Sequence, residues 1–296
     1  MQGLSNFMQY LFMTFSGNLL SVQKYCDLCT DHTVCLYPNT GPSANCTDLI
    51  AYGLLEAEKQ SIVKLHNQLR QRVAQGLETR GSPGPQPAAR YMPDLAWDNE
   101  LAAMAQRWAN TCRQSVDSCR NTERFPVGQS VGYRGTTGNA HSLHATSIVQ
   151  DWYDQVVYHD GARVSAGFRN RGADQRYVGT YTQIVWADTS YVGCGSVRYR
   201  EGRYNTLYLV CNYGPSGNIV GYPIYRTEGE MVQRYIIMHA RCRALYITYI
   251  IIRELPRVII ATYRSAASAF ELRNRAKCAH SSRSAHVHLC TIYVMQ

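Results

Sequence analysis

Eight of the eleven cysteines precede position 212: Cys26, Cys29, Cys35, Cys46, Cys112, Cys119, Cys194 and Cys211. An even set, crowded at one end and then spread, reads as a disulfide framework made in an oxidising compartment. Eight cysteines allow about 105 pairings, and spacing alone does not choose among them. Zinc is the competing use of Cys26-x-x-Cys29, but no second C-x-x-C follows at a finger-like distance. Cys242, Cys278 and Cys290 form an odd remainder outside that plan.

An oxidising compartment implies export. Residues 1–24 carry a moderately apolar run, Phe7 to Phe15, then small and polar residues before Tyr25-Cys26. The length suits a signal peptide, although a basic leading region is missing, and the run is too short and polar to span a bilayer. The apolar fraction of 45% excludes a wholly disordered chain. The formal charge of +9 is concentrated at one end: from Arg226 onward eleven Lys and Arg face four Glu, which leaves +2 on the residues before it. So neutral a main body argues against a nucleic-acid partner.

Cys26 to Cys46 lacks periodicity and reads as a cross-linked loop. Asn45-Cys46-Thr47 fits a glycosylation sequon, with Asn45 the acceptor, although a bridged Cys46 would hinder modification. From Glu56 to Gly76, Ile62, Leu65, Leu69 and Val73 recur at helical spacing. His66 lies on or beside that stripe and reads as a core histidine bonded to backbone. Asp98 is placed to cap a second helix bearing Leu101, Met104, Ala105 and Trp108. A third helix is expected over roughly 142–157, with Ile148, Trp152 and Val156 inward. Strands are expected at 179–186, 192–198 and 204–213, all β-branched and aromatic. Helices first and strands later give an α+β arrangement, or three α/β/α layers around an antiparallel sheet.

Two stretches carry a resemblance: Gly179-Thr-Tyr-Thr-Gln-Ile-Val-Trp-Ala-Asp-Thr189 and Tyr208-Leu-Val-Cys-Asn-Tyr-Gly-Pro-Ser-Gly-Asn218. They resemble the two signature motifs of the CAP superfamily of cysteine-rich secretory proteins, antigen 5 and pathogenesis-related proteins. Tyr25-Cys26, Gly76-Leu-Glu-Thr-Arg-Gly81, Pro83 to Pro87, Cys119-Arg-Asn-Thr122 and Val127-Gly-Gln129 make the likeness strongest to insect venom antigen 5. The resemblance covers residues 25–225, setting apart the signal segment 1–24 and a basic extension, 226–296. It implies a three-layer α/β/α sandwich with an antiparallel central sheet, a secreted and monomeric protein, and a large central cleft. It also implies the pairs Cys26–Cys35, Cys29–Cys119, Cys46–Cys112 and Cys194–Cys211, each worth roughly 3–4 kcal/mol in the chain-entropy model.

Many relatives hold two His and two carboxylates in that cleft, a divalent-metal site once proposed as hydrolytic. Carried over by motif, those positions here are Val116, Gln129, Gln155 and Thr180. Valine has no lone pair to offer, and two amides and a hydroxyl bind zinc poorly and supply no base poised near neutral pH. The expectation is therefore no metal, no cofactor and no catalytic residue. His141 and His144, three apart, and His159-Asp160 lack a third ligand, and neither a nucleophile elbow nor a phosphate loop is present.

The expected function is binding, with a small lipid or sterol or a host extracellular protein as partner; a metal-assisted hydrolase is the alternative. Residues 231–296 contain no Gly and no Asp, where average usage would give about five glycines. That extension reads as normally non-coding sequence, a disordered basic tail or a membrane-surface segment. Nucleic-acid or heparin binding through it would show steep salt dependence.

Overall fold

The computed structural model describes residues 22–172 and 175–227. The expected signal segment up to residue 21, the extension beyond residue 227 and Cys242, Cys278 and Cys290 lie outside the described residues. Residues 22–28 are helical, and the α-helices with both ends described are α1 (Thr33–Leu36), α2 (Glu56–Ala74), α3 (Asn99–Ala109), α4 (Ala145–Asp154) and α5 (Gly179–Ile184). The strands are β1 (Ala51–Tyr52), β2 (Ala96–Trp97), β3 (Gly128–Thr136), β4 (Tyr191–Glu201) and β5 (Tyr204–Gly214).

The sheet runs β1-β4-β5-β3, with β2 pairing parallel to β4. The long pairs are antiparallel: Cys194 faces Cys211 across β4 and β5, and Ser130 faces the same Cys211 across β3 and β5. Side chains alternate on β5 as a pleated strand requires. Leu207, Leu209, Cys211 and Tyr213 join one core with α2, α4 and α5. Tyr208 and Val210 join the other core with Ala105, Trp108 and Ala109 of α3. A sheet buried on both faces by helices is the three-layer sandwich.

The expected helices form where the apolar stripes lie. Ile62, Leu69 and Val73 are buried on α2, and Leu101, Met104, Ala105 and Trp108 on α3. The Asp98 carboxylate accepts from the Leu101 amide at 2.9 Å, capping α3, and Glu58 accepts from the Leu55 amide at 2.8 Å at the start of α2. The third helix is shorter than its stripe, breaking into a tighter 3₁₀ turn over Gln155–Tyr158. Helix α3 packs with its backbone against β4, where a Cβ on Gly193 would strike Asp98 and Ala102, and one on Gly195 would strike Gln106. Glycine is needed there for close approach, not for its dihedral freedom.

Three expectations are corrected. Residues 179–186 are not a strand: Gly179–Ile184 form α5, and all six residues are buried. Threonine suits this helix because its hydroxyls find carbonyls, Thr182 at Val178 and Gly179 and Thr180 at Trp152. Tertiary burial on every side overrides β propensity. The second correction is β3, whose Gly-rich sequence carries little apolar alternation but pairs along its whole length with β5. The third is the region 26–46, where a short helix, Thr33–Leu36, interrupts the loop; the Val34 amide donates to His32 Nδ1 at its start. The four disulfides join Cys26 to Cys35, Cys29 to Cys119, Cys46 to Cys112 and Cys194 to Cys211. Two anchor the N-terminal region beyond the end of α3, and one staples β4 to β5.

Candidate functional site

A cleft of about 280 Å³ opens between β3, α4 and the segment after α3. Val131, Tyr133, Ile148 and Trp152 contribute apolar surface, and Gln114, Asp151, Gln155 and Tyr208 polar atoms. Helix α4 is held close to β3 because Gly132 has no side chain: a Cβ there would sit 2.6 Å from Ile148 Cγ2 and 2.7 Å from Trp152 Nε1. The Trp152 indole N–H donates to the Val131 carbonyl at 3.2 Å, and the Tyr208 hydroxyl donates to the Arg113 carbonyl at 2.6 Å. Arg134 grips Asp151 through both carboxylate oxygens, so the one acidic group in the cleft is already neutralised.

The four carried-over positions are placed as follows. Gln155 lines the cleft, and its Oε1 accepts from the Thr180 amide at 3.2 Å. Thr180 is buried on α5, with its hydroxyl donating to the Trp152 carbonyl at 3.1 Å. Gln129 stands on β3 two residues before the cleft wall; its Oε1 accepts from the Asp117 amide and its Nε2 donates to Asn212, both at 3.0 Å. Val116 is 55% exposed and does not line the cleft. Of the four expected cleft positions only Gln155 lines the cleft; Thr180 is bonded directly behind it, and Gln129 is bonded to Asp117 and Asn212 away from both. Both amide oxygens already accept a backbone proton, which leaves them poor candidates for a metal. These residues do not fit a divalent ion.

Other metal-type clusters fare no better. Among the described residues, one group of three gathers, Cys29, Asp31 and Cys119, and its two sulfurs are joined to each other. His141 and His144 are exposed at the approach to α4. His66 is fully buried, with Nδ1 donating to the Ile62 carbonyl at 2.8 Å and Nε2 accepting from the Tyr213 hydroxyl at 3.0 Å. Burial pushes its pKa down to about 4, so the ring is neutral.

Two buried charges fasten the helices behind the cleft, and sequence reasoning missed both. Arg70, on α2, is wholly buried and donates to the Pro93, Ile184 and Trp186 carbonyls at 2.7–2.9 Å. It holds the C-terminal end of α5, where carbonyls lack partners and the helix dipole favours a cation. Glu78 is also wholly buried, accepting from Arg72, Arg80 and Tyr153 at 2.8–3.1 Å. Burial pushes that carboxyl up, but the Arg80 and Tyr153 hydrogen bonds outweigh it and hold the pKa at about 2. Arg80 reaches on to Asp154 at the end of α4. The available signal for Arg70 was its spacing, since Ile62, His66 and Arg70 recur every fourth residue on one helix face. For the cleft residues Tyr133 and Tyr208 it was the alternation of strands β3 and β5.

An α/β/α sandwich stapled by four disulfides, with its cleft between β3 and α4, defines a class. Residues 63–213 match the sequence profile of the cysteine-rich secretory protein family, CAP, and the chain belongs to that family. Within it, the chain is similar to insect venom allergens. It is 47% identical over 222 residues to venom allergen 3 homolog of Dinoponera quadriceps, covering 72% of this chain and 93% of that protein. It is 46% identical over 198 residues to venom allergen 5 of Brachyponera chinensis, covering 66% and 97%. The solved structure of BmVAL-1 superposes with a TM-score of 0.52 at 27% identity, over 59% of this chain and 84% of that one.

Proposed function

We propose that this chain is an exported, antigen 5-like CAP protein that works by binding and not by breaking bonds. The observation that carries the reading is the state of the four carried-over positions. Gln129 Oε1 is taken by the Asp117 amide, Gln155 Oε1 by the Thr180 amide and the Thr180 hydroxyl by the Trp152 carbonyl, and Val116 offers no polar side-chain atom. No imidazole or free carboxylate remains there to hold an ion or move a proton. Four disulfides support an oxidising destination, and so does the likeness to proteins named for venom. Among the described residues no helix is long and apolar enough to cross a membrane.

The partner is a small lipid or sterol, or a host extracellular protein; the aromatic and aliphatic lining of Tyr133, Trp152, Val131 and Ile148 favours the small apolar ligand. A fluorescent fatty acid and a fluorescent sterol titrated into the full chain test this. Saturable binding of either, lost when Gln155→Trp fills the cleft, supports the reading. Chelator-sensitive hydrolysis of an ester or peptide substrate overturns it in favour of the metal-assisted alternative.

A further inference from the structure

A second hollow, of about 30 Å³, lies in the segment that follows the Gln155–Tyr158 turn. It holds one small group and not a whole ligand. It shares no lining residue with the cleft. His159, Arg163, Arg169 and Arg171 line it together with Asp160 and the buried Phe168 and Ile224. Among the described residues three arginines and one carboxylate therefore line it, in a main body that is otherwise almost neutral. Asp160 pairs with Arg163 at 3.1 Å and accepts from the Ala162 amide at 2.9 Å. Arg171 donates to the Gln175 carbonyl at 2.7 Å, and exposed Arg169 has no carboxylate partner among the described residues. Guanidinium groups so placed suit a tetrahedral oxyanion.

The histidine narrows the choice of anion. His159 is 5% exposed, and its Nδ1 meets Gln86 Oε1 at 3.0 Å. Gln86 Nε2 is committed to the Arg80 and His159 carbonyls, which fixes Oε1 toward the ring. Nδ1 therefore carries the proton, and Nε2 presents a lone pair with no protein partner among the described residues. Burial lowers the pKa to about 4, so that lone pair is free at neutral pH. An Nε2 that can only accept is best served by an anion able to share a proton with it. A phosphomonoester, with a second pKa of about 6, carries a proton that it can share with the imidazole near neutrality; a sulfate ester or a phosphodiester has none to share.

The surroundings indicate where such a group would come from. The Phe168 amide donates to the Tyr222 carbonyl at 2.7 Å, and Phe168 bridges to Val220. Val220 is 75% exposed and Tyr222 62% exposed, and both pair with Phe168, the chain neighbour of Arg169. Apolar and aromatic side chains next to a cluster of arginines match the chemistry of a bilayer interface with anionic headgroups. We propose that this hollow takes the phosphomonoester headgroup of an anionic lipid, with Val220 and Tyr222 seated at the membrane surface.

The test is co-sedimentation of the full chain with phosphatidylcholine vesicles containing either phosphatidic acid, a phosphomonoester, or phosphatidylserine at matched surface charge. The expected result is tighter binding to phosphatidic acid. Arg169→Ser should weaken it about fivefold and the double variant with Arg171→Ser about 25-fold, with thermal unfolding unchanged by Arg169→Ser. Mass mapping of phenylglyoxal adducts should show Arg163, Arg169 and Arg171 protected by these vesicles, which separates this site from the basic extension. Equal binding to both lipids, affinity unmoved by the substitutions, or no protection of these arginines overturns the proposal. So does binding of free inorganic phosphate without vesicle binding, or a heparin oligosaccharide that binds more tightly than the vesicles.

Discussion

Arg70→Met removes the central fastener between α2 and the end of α5. The guanidinium donates to Pro93 through Nε and Nη2, to Ile184 and Trp186 through Nη1, and more weakly to Thr189 at 3.3 Å and Ala187 at 3.5 Å. Five buried carbonyls share one cation, and no carboxylate touches it. Each carbonyl left without a donor costs about 1 kcal/mol. Methionine returns part of that through apolar burial, and the cost of desolvating a charge disappears. The net loss expected is about 3–4 kcal/mol. At about 2–4 °C per kcal/mol for a domain of this size, the unfolding midpoint falls by about 10 °C. Arg70→Lys should lose nearly as much, because an ammonium on a shorter, unforked stem cannot reach the carbonyls on both sides. Circular dichroism melts of the three proteins, with disulfides intact, read the effect. A loss below about 1 kcal/mol for Arg70→Met would show that these carbonyls do not depend on the fork.

Acid should weaken the fold well before its carboxylates titrate. His66 and His159 are neutral when folded, with pKa values near 4 against 6.5 in the unfolded chain. Only the unfolded state takes up protons between those values, so their contribution is full above pH 6.5 and declines as the pH falls toward 4. The loss is roughly 3 kcal/mol per histidine. Urea midpoints from pH 7.5 to 4.5 should fall, with a shallower slope in His66→Gln; a flat profile refutes the assignment. Glu78→Gln leaves Arg72 and Arg80 beside a neutral amide and should cost about 2–3 kcal/mol by urea unfolding. In the wild type that contribution is present above pH 4.5 and lost as the pH falls through about 2. Glu78→Gln as stable as the wild type would contradict it.

The sandwich was legible where a periodic stripe met a single buried face. Ile62, Leu69 and Val73 on α2, and Leu101, Met104 and Trp108 on α3, announce their helices because each has one side in water. Strands β4 and β5 were legible from their β-branched and aromatic content. Helix α5 was not, because burial on all sides erases any period and leaves only propensity, which for Thr180, Thr182 and Ile184 points the wrong way. Strand β3 was hidden by Gly128, Gly132 and Gly135, glycines that admit Gln183 of α5, Ile148 and Trp152 of α4, and Tyr204 of β5 respectively. At the cleft, the residue types at 116, 129, 155 and 180 follow from the family motifs. The bonds that occupy them do not: Gln129 meets Asn212 across 83 positions, and Thr180 meets Trp152 across 28, through pairings no local pattern encodes. The hollow around Arg169 depends on a fold-back of residues 167–169 onto 220–222, equally invisible to spacing.

Calorimetric titration of zinc into the metal-free full chain at neutral pH, repeated with Gln129→Ala/Gln155→Ala, tests the absence of a metal centre most directly. No micromolar binding that depends on those two glutamines is expected. Saturable micromolar or tighter binding abolished by their removal would contradict this, because those side chains would then be gathering an ion that their donors are too weak and too occupied to hold.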